Sequence, residues 1–282
     1  MVKTVDDIHS TDSVFTNAME RFDRANIEPV DKEKLDKKHV LDIPLDAEGI
    51  LICRPNRFLG IVDIVTPIEL KDEKVHIHDP GRLEDILFPG NRVLLKRANG
   101  KSRKTGWDLI GGKVGDNFIL THSGYHRYIS TWVLENRIIE SLRSIEKIIP
   151  EQIFGESRLD YLVEGAGNRT WVEVKGCTFA ENGKAMFPDA PTSRGRRHVE
   201  ELIKALQAGD NATMIVLIFR REAQCFWAHE KIDPDFAAAF SHAIKEGVKV
   251  NPLVFTFEKK GDYGQVFYCG KLPLCRTNFS ES

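Results

Sequence analysis

The residues best suited to chemistry lie close together on one short segment of the chain. Asp160 is followed by Glu173 and Lys175 in the pattern D-x12-E-V-K. Two carboxylates that end neighbouring strands can share one Mg²⁺ or Mn²⁺ ion, because these cations prefer oxygen ligands. The carbonyl of Val174 would be a further metal ligand, and Glu151 would add a carboxylate. Lys175 would then orient or deprotonate a water for attack on a phosphodiester.

The surrounding sequence predicts two strands that position these side chains. Residues 157–163 and 170–174 are rich in apolar residues, and the Gly-rich turn at 165–168 separates them. Strand alternation puts Glu173 and Lys175 on the same face. The alternative is an ordinary salt bridge between these two side chains on a solvated face.

A second group of charges lies at the start of a predicted helix that opens at Thr192 and ends at Gly209. Arginines at a helix N-terminus oppose the helix dipole, so an anion such as a phosphate is a reasonable partner for them. Pairing with Glu200 and Glu201 on a solvated helix is the alternative. The residues of this group are Arg194, Arg196, Arg197 and His198.

The N-terminal half is strand-like and locally basic. Five strand segments over residues 49–121 predict a small antiparallel barrel, and the OB type is the economical choice. Basic groups with interleaved aromatics suit a surface that follows a phosphate backbone, although Phe58 and Trp107 are expected in the core. The candidate nucleic-acid contacts here are Arg54, Arg57, Arg82, Arg103 and Lys104.

Three further residues of this half, His76, His78 and Asp79, have metal-binding side chains. Strand alternation places Asp79 on the face opposite both histidines, so a solvent-facing or loop-satisfied pair is the better interpretation.

The C-terminal half predicts a mixed α/β sheet. Helices are expected over residues 125–148, 193–208 and 233–247, and buried strands over 212–219 and 248–257. A loop is expected over residues 176–191. Residues 1–45 are highly charged and predict an extension with one helix over 14–24 and a solvated linker.

Composition excludes several classes of protein. With 41% hydrophobic and 29% charged residues and a net charge of -2, the chain is a globular protein and no polycation, so any nucleic acid must bind local basic patches. The absence of a long apolar run or signal peptide predicts a cytoplasmic protein without membrane spans. Five scattered cysteines without a CxxC pair predict free thiols and no structural zinc site.

These residues resemble those of the sugar fermentation stimulation protein A family. The resemblance rests on RPNRFLGIVDI, HDPGRLEDILFPGNRVLL, SRKTGWDL, ESRLDYLV, WVEVKG and FPDAPTSRGRRHVEELI. It implies an N-terminal OB-like β-barrel followed by a PD-(D/E)xK nuclease-like α/β domain, with DNA binding as the attributed activity.

Carried over to this sequence, the resemblance assigns the nuclease-like triad to Asp160, Glu173 and Lys175. Glu151 matches the acid that precedes the SRxD block, and Asp189 lies in the FPDA block, from which it could approach the metal. The stretch 126–131 contains no carboxylate, whereas PD-(D/E)xK enzymes often have a helix Glu there.

The sequence therefore predicts an extension over residues 1–45, an OB-like barrel over 46–121 and a nuclease-like domain over 122–282. The first hypothesis is a DNA-binding protein with a Mg²⁺-dependent phosphodiesterase site. The alternatives are a non-catalytic DNA-binding regulator that retains the nuclease scaffold and a hydrolase of small phosphate esters. The sequence leaves a homodimer open.

Overall fold

A computed structural model describes residues 37–100 and 103–275. The helix expected over 14–24 lies outside these residues. The strands of the N-terminal half are β1 (Lys38–Pro44), β2 (Ala47–Asn56), β3 (Leu59–Thr66), β4 (Leu70–Ile77), β5 (Arg92–Arg97), β6 (Trp107–Val114) and β7 (Asn117–Leu120). The remaining strands are β8 (Lys147–Phe154), β9 (Ser157–Gly165), β10 (Asn168–Cys177), β11 (Phe179–Glu181), β12 (Lys184–Phe187), β13 (Asn211–Ile218), β14 (Cys225–Ala228), β15 (Lys249–Lys260) and β16 (Tyr263–Lys271). The α-helices are α1 (His126–Glu135), α2 (Ser193–Gln207) and α3 (Pro234–Glu246).

Strands β2 to β6 form the expected barrel. They pair in the order β4-β3-β2-β5-β6, and a parallel pairing of β4 with β6 closes the ring. The sequence pattern predicts one interrupted strand over residues 49–65. This prediction is wrong, because these residues form the β2–β3 hairpin. Asn56 Oδ1 accepts a hydrogen bond from the Phe58 backbone N–H at 2.9 Å and stabilises the turn of this hairpin. This local side-chain hydrogen bond favours the reversal of the chain at this point.

The two aromatic residues of the barrel have different environments. Trp107 is buried, as expected, with the Arg97 guanidinium 4.5 Å from its ring centroid. Phe58 is 51% exposed at the hairpin tip, so its expected place in the core is wrong.

The C-terminal half is built on a mixed sheet in the order β15-β13-β10-β9-β8. Strands β10, β13 and β15 are parallel, and β9 is antiparallel to β10. Alternation along β10 puts Val172 into one core, with the barrel and α1, and Trp171 into another, with α2 and α3. The face that carries Glu173 and Lys175 is therefore the face of Trp171, toward α2.

The helices α2 and α3 follow the sequence signals closely. The Thr192 hydroxyl accepts from the Gly195 N–H at 3.0 Å, which caps the N-terminus of α2. Asp233 caps α3 in the same way through the Phe236 N–H at 2.9 Å. Gly247 ends α3 with φ 107°, a conformation that favours glycine.

Several predicted boundaries are wrong. The helix expected over 125–148 ends at Glu135, and Arg137 has a φ of 51°, outside the right-handed helical region. Residues 147–154 instead form β8, which pairs with β9. The apolar residues of this stretch match a helical period only because a helix, a turn and a strand each bury some of them.

Pairing between distant segments explains the other differences. Within the expected loop 176–191, β11 and β12 form a hairpin that pairs with β14 in a separate three-stranded sheet. Residues 38–44, expected in a solvated linker, form β1 and pair with β16. Such partners are far away in sequence, so local patterns do not reveal them.

Not all of the cysteines are free thiols. Cys225 and Cys275 form a disulfide, which corrects the prediction of free thiols throughout. Cys53, Cys177 and Cys269 are free. Among the described helices, none is long and apolar enough to span a bilayer.

Candidate functional site

The structure brings Asp160, Glu173, Val174 and Lys175 together where β9 and β10 separate. Pairing of the two strands ends at Val172 opposite Tyr161. Beyond that point the Val174 N–H donates to Asp160 Oδ2 at 2.7 Å. The N–H and C=O of one residue in a strand point to the same side, so the Val174 carbonyl also points toward the side of Asp160. The sequence prediction of a carboxylate pair with a neighbouring carbonyl is consistent with this geometry.

Glu173 is the most buried member of the site, with 2% of its side chain exposed. Its Oε1 accepts from Lys175 Nζ at 2.5 Å and also contacts Nδ1 of His198 on α2. Its Oε2 has no hydrogen-bond partner within residues 37–100 and 103–275. A buried carboxylate oxygen without a partner is costly, and a bound cation would offset that cost. The salt bridge between Glu173 and Lys175 that the alternative predicted does form, but both side chains are largely buried, so the face is not solvated.

The two carboxylates have opposite electrostatic environments. Burial and the nearby charge of Glu173 raise the pKa of Asp160 to about 7. Burial also opposes ionisation of Glu173, but Lys175 and His198 outweigh it and lower the pKa of Glu173. At neutral pH the site therefore holds one firmly ionised carboxylate beside one that titrates.

Glu151 lies on β8 opposite Asp160, between the pairs Pro150–Tyr161 and Gln152–Leu159. Its φ is 55°, which is strained for a residue with a side chain. Its carboxylate pairs with Arg158 at 2.8 Å and with Arg127 at 3.9 Å, and 40% of the side chain is exposed. Glu151 is thus at the rim of the site and already partnered by two arginines.

These donors fit a hard divalent cation. The buried Glu173 Oε2 supports this fit, because it lacks a hydrogen-bond partner in the described chain and lies beside a second carboxylate and a strand carbonyl. Oxygen donors of this kind suit Mg²⁺, Mn²⁺ or Ca²⁺. Asp160, Glu173 and Val174 would hold such an ion.

The charges at the start of α2 divide into two groups. Arg194 and Arg197 are exposed, whereas Arg196 pairs with Asp235 at 2.7 Å and with Glu200 at 3.7 Å. His198 is buried between Glu173 and the Arg194 Nε, which lies 3.3 Å from its Nε2. His198 therefore belongs to the carboxylate site and not to the surface that was expected to bind nucleic acid.

The basic residues of the barrel also divide. The Arg54 guanidinium donates to the carbonyls of Arg57 at 3.1 Å and Gly81 at 3.2 Å, and it contacts that of Arg82. Arg54 thus holds a loop of the barrel instead of presenting its charge. Arg103 pairs with Asp108. Arg57, Arg82, Arg103 and Lys104 are exposed, and of these Arg103 is held by its ion pair.

A cavity of about 220 Å³ links the barrel to the α/β domain. Its lining runs from Gly176, the residue after Lys175, to Arg57 on the barrel hairpin. Asp189 also lines it and accepts from the Leu83 N–H at 3.1 Å. Asp189 therefore fixes the barrel loop to this domain, a role that the sequence did not indicate.

Sequence reasoning missed His126 at the start of α1. Burial lowers the pKa of His126 to about 4, and its ring stacks on Phe219 with centroids 5.7 Å apart. A Cβ on Gly176 would lie 2.1 Å from its Cε1, so the imidazole packs directly on the strand that carries Lys175. Spacing gave no signal for this contact, because it joins the start of α1 to the end of β10.

The family description "Sugar fermentation stimulation protein RE domain" matches residues 124–261, and "SfsA N-terminal OB domain" matches residues 52–121. The sugar fermentation stimulation protein homolog of Methanococcoides burtonii is 49% identical over 86% of this chain and 97% of the relative. The chain belongs to the sugar fermentation stimulation protein family.

Other family members support the assignment and the fold. The homolog of Thermotoga neapolitana is 45% identical over 83% of this chain and 98% of the relative. The structure of Pyrococcus furiosus SfsA in complex with Ca²⁺ is 28% identical, has a TM-score of 0.75 and covers 84% of this chain and 99% of that protein. The predicted order of an OB-like barrel followed by a mixed α/β domain is confirmed.

Proposed function

We propose that this family member binds DNA and hydrolyses phosphodiester bonds with a divalent metal at Asp160 and Glu173. The observation that carries the proposal is Glu173 Oε2, which is buried, has no hydrogen-bond partner in the described structure and lies beside a second carboxylate. Mg²⁺ or Mn²⁺ is the cation proposed. The Ca²⁺ in the related Pyrococcus furiosus structure supports a hard divalent ion.

Each residue of the site has a proposed role. Asp160, Glu173 and the Val174 carbonyl hold the metal, and Glu151 completes its surroundings from the rim. When bound, the ion neutralises charge that develops on the phosphate oxygens. Lys175 orients the attacking water, since its ammonium is held beside Glu173 at 2.5 Å and only 12% of its side chain is exposed.

His198 positions Glu173 from α2. Its contact with Oε1, together with that of Lys175, directs the carboxylate so that Oε2 remains available. Groups of this kind, which hold a metal ligand in place, support metal affinity without touching the ion.

The proposed DNA path runs from the barrel hairpin along the cavity to the start of α2. Arg57 lines the cavity beside the exposed Phe58, which is suited to stack on a base. At the far end of this path, the exposed Arg194 and Arg197 would contact backbone phosphates. Asp79 and Asp189 line the cavity between these arginines, so the phosphate contacts are expected at its two ends. Such contacts predict that affinity falls with salt.

The test is incubation of labelled single- and double-stranded DNA with the protein in EDTA, Mg²⁺ or Mn²⁺, with Glu173→Gln beside it. Glu140→Gln is the matched control, because the Glu140 side chain is 86% exposed. We expect metal-dependent cleavage in the unaltered protein and in the control, and its loss in Glu173→Gln with DNA affinity retained.

Other outcomes identify the alternatives. DNA binding without cleavage in any metal would exclude the enzyme and favour a non-catalytic regulator. The regulator has one structural observation in its favour, since α1 begins with His126 and Arg127 and supplies no carboxylate over residues 126–131. Absence of salt-dependent DNA binding would contradict both hypotheses.

A further inference from the structure

Two imidazoles and a carboxylate meet outside the Glu173 site, at the point where the barrel closes. His78 follows β4 directly, Asp108 lies on β6, and His122 follows β7. Each offers one ligand atom, and the three atoms all lie within 4.8 Å of one another. The sequence singled out a different set, His76, His78 and Asp79, which shares only His78 with this cluster. Asp79 is used elsewhere, because its Oδ1 accepts from the Gly81 N–H at 2.8 Å.

The barrel itself fixes the arrangement. Strands β4 and β6 pair in parallel with His76 opposite Asp108, which brings the end of β4 next to the start of β6. His78 Nε2 is 3.0 Å from Asp108 Oδ1. The Ser123 hydroxyl donates to the His78 carbonyl at 2.7 Å and so ties the segment after β7 to the same place.

The two histidines of the cluster pack against each other. The rings of His78 and His122 stack with centroids 3.7 Å apart and planes inclined by 25°. Nδ1 of His122 is buried and has no hydrogen-bond partner among the residues that the structure describes.

We infer that His78, Asp108 and His122 form a second metal site, with the chemistry of Zn²⁺. Two imidazoles and one carboxylate suit a transition ion, whereas the oxygen donors around Glu173 suit Mg²⁺. Zinc bonds of 2.0–2.2 Å place donor atoms about 3.3 Å apart in a tetrahedron. The His78–Asp108 separation of 3.0 Å is near that value, and the donor atom of His122 lies within 4.8 Å of both.

The site keeps a fourth position for water or another ligand. The side chains of His78 and Asp108 are 26% and 13% exposed, so solvent reaches the cluster. Three protein ligands with a fourth position left to water are the arrangement of catalytic zinc sites, as opposed to closed structural ones.

Arg103 competes with the ion for Asp108. Its guanidinium contacts Oδ1 of Asp108 and lies 3.5 Å from Oδ2. Binding of Zn²⁺ to Oδ1 must therefore displace this contact or move it to Oδ2. Loss of the arginine would then tighten zinc binding, whereas a cluster held together only by its ion pairs would be weakened.

The test is calorimetric titration of EDTA-treated protein with Zn²⁺ in the Glu173→Gln background, which removes the first site. We expect one Zn²⁺ per chain, a 10- to 100-fold weaker affinity in His122→Asn, as for loss of a ligand or its support, and equal or tighter affinity in Arg103→Gln. His242→Asn is the matched control because its side chain is 59% exposed.

Identical zinc affinity in His122→Asn and His242→Asn would overturn the inference, as would weaker binding in Arg103→Gln. Imidazole ¹⁵N resonances of the unaltered protein test the site without any substitution that affects folding. One equivalent of Zn²⁺ should shift the signals of His78 and His122, and unchanged signals would contradict the assignment.

Discussion

The imidazole of His198 on α2 contacts the Glu173 carboxylate on β10, the same oxygen that accepts from Lys175 at 2.5 Å. A helix that covers one face of the sheet thereby determines which oxygen of Glu173 remains available for a metal. In the proposed metal site, this contact orients Glu173 toward the ion.

Replacement of His198 should therefore weaken metal binding. In His198→Asn we expect Mg²⁺ or Ca²⁺ affinity to fall about 10- to 100-fold, because the partner that orients Glu173 is lost. Calorimetric titration measures this change, with the exposed His242→Asn as control. Unchanged affinity in a folded His198→Asn protein would show that the contact has no positioning role.

The ionised form of Asp160 should lower the stability of the metal-free folded protein, although it is the form that binds a metal. Its pKa of about 7 in the folded protein lies above its ordinary value of 3.8, so the folded state binds more protons than the unfolded state between these two values. The contribution of Asp160 to stability is thus fully present below pH 3.8 and is lost as the pH rises through 7.

Asp160→Asn should then raise the Tm of the metal-free protein at pH 8 by several degrees and by less at pH 5, because the loss accumulates progressively between pH 3.8 and 7. The exposed Asp116→Asn is the control, and thermal unfolding in EDTA at both pH values is the measurement. A lower Tm at pH 8 would contradict the assigned protonation. In the unaltered protein, metal affinity should fall below pH 7, since the ion must displace the proton.

Gly176 should be intolerant of a side chain. A Cβ there would lie 2.1 Å from His126 Cε1, so Gly176→Ala must shift either the ring or the strand that carries Lys175. We expect a loss of about 1–3 kcal/mol in the free energy of unfolding, measured by denaturant titration.

Gly106→Ala is the matched control, because a Cβ at Gly106 meets nothing within 4 Å. In a His126→Ala background, Gly176→Ala should cost less than in the unaltered protein, since the ring that collides is absent. Equal stability of Gly176→Ala and Gly106→Ala would contradict the packing described for His126.

The arginines of the barrel should separate into binding and structural residues. Arg57→Ala should lower DNA affinity and reduce the salt slope by about one phosphate contact without loss of stability. Arg54→Ala should instead lower the Tm, because Arg54 holds the carbonyls of Arg57 and Gly81. Fluorescence anisotropy at several salt concentrations, combined with thermal unfolding, distinguishes the two effects. The reverse pattern would refute the proposed path.

The disulfide between Cys225 and Cys275 should stabilise the C-terminal half. Its loop spans 50 positions, and Cys275→Ser should cost about 2–4 kcal/mol in the free energy of unfolding. Denaturant titration under oxidising conditions measures the change, and the exposed free Cys53 provides Cys53→Ser as control. Equal stability of the two variants would contradict a formed disulfide.

The sequence by itself determined the elements with strong local signals. The cap at Thr192, the glycine at 247 and the apolar run of β13 each depend on neighbours within a few residues, and their elements form as predicted. The same holds for Glu173 and Lys175, because alternation along one strand places them on a common face.

Tertiary structure alone decided what these residues contact. The His198–Glu173 contact, the packing of His126 on Gly176 and the His78–Asp108–His122 cluster join residues from different elements. The pairings of β1 with β16 and of β12 with β14 are of the same kind. A sequence pattern reports local periodicity, whereas such contacts depend on how distant elements pack. The surface placement of Phe58 and the burial of His198 therefore became visible only in the folded chain.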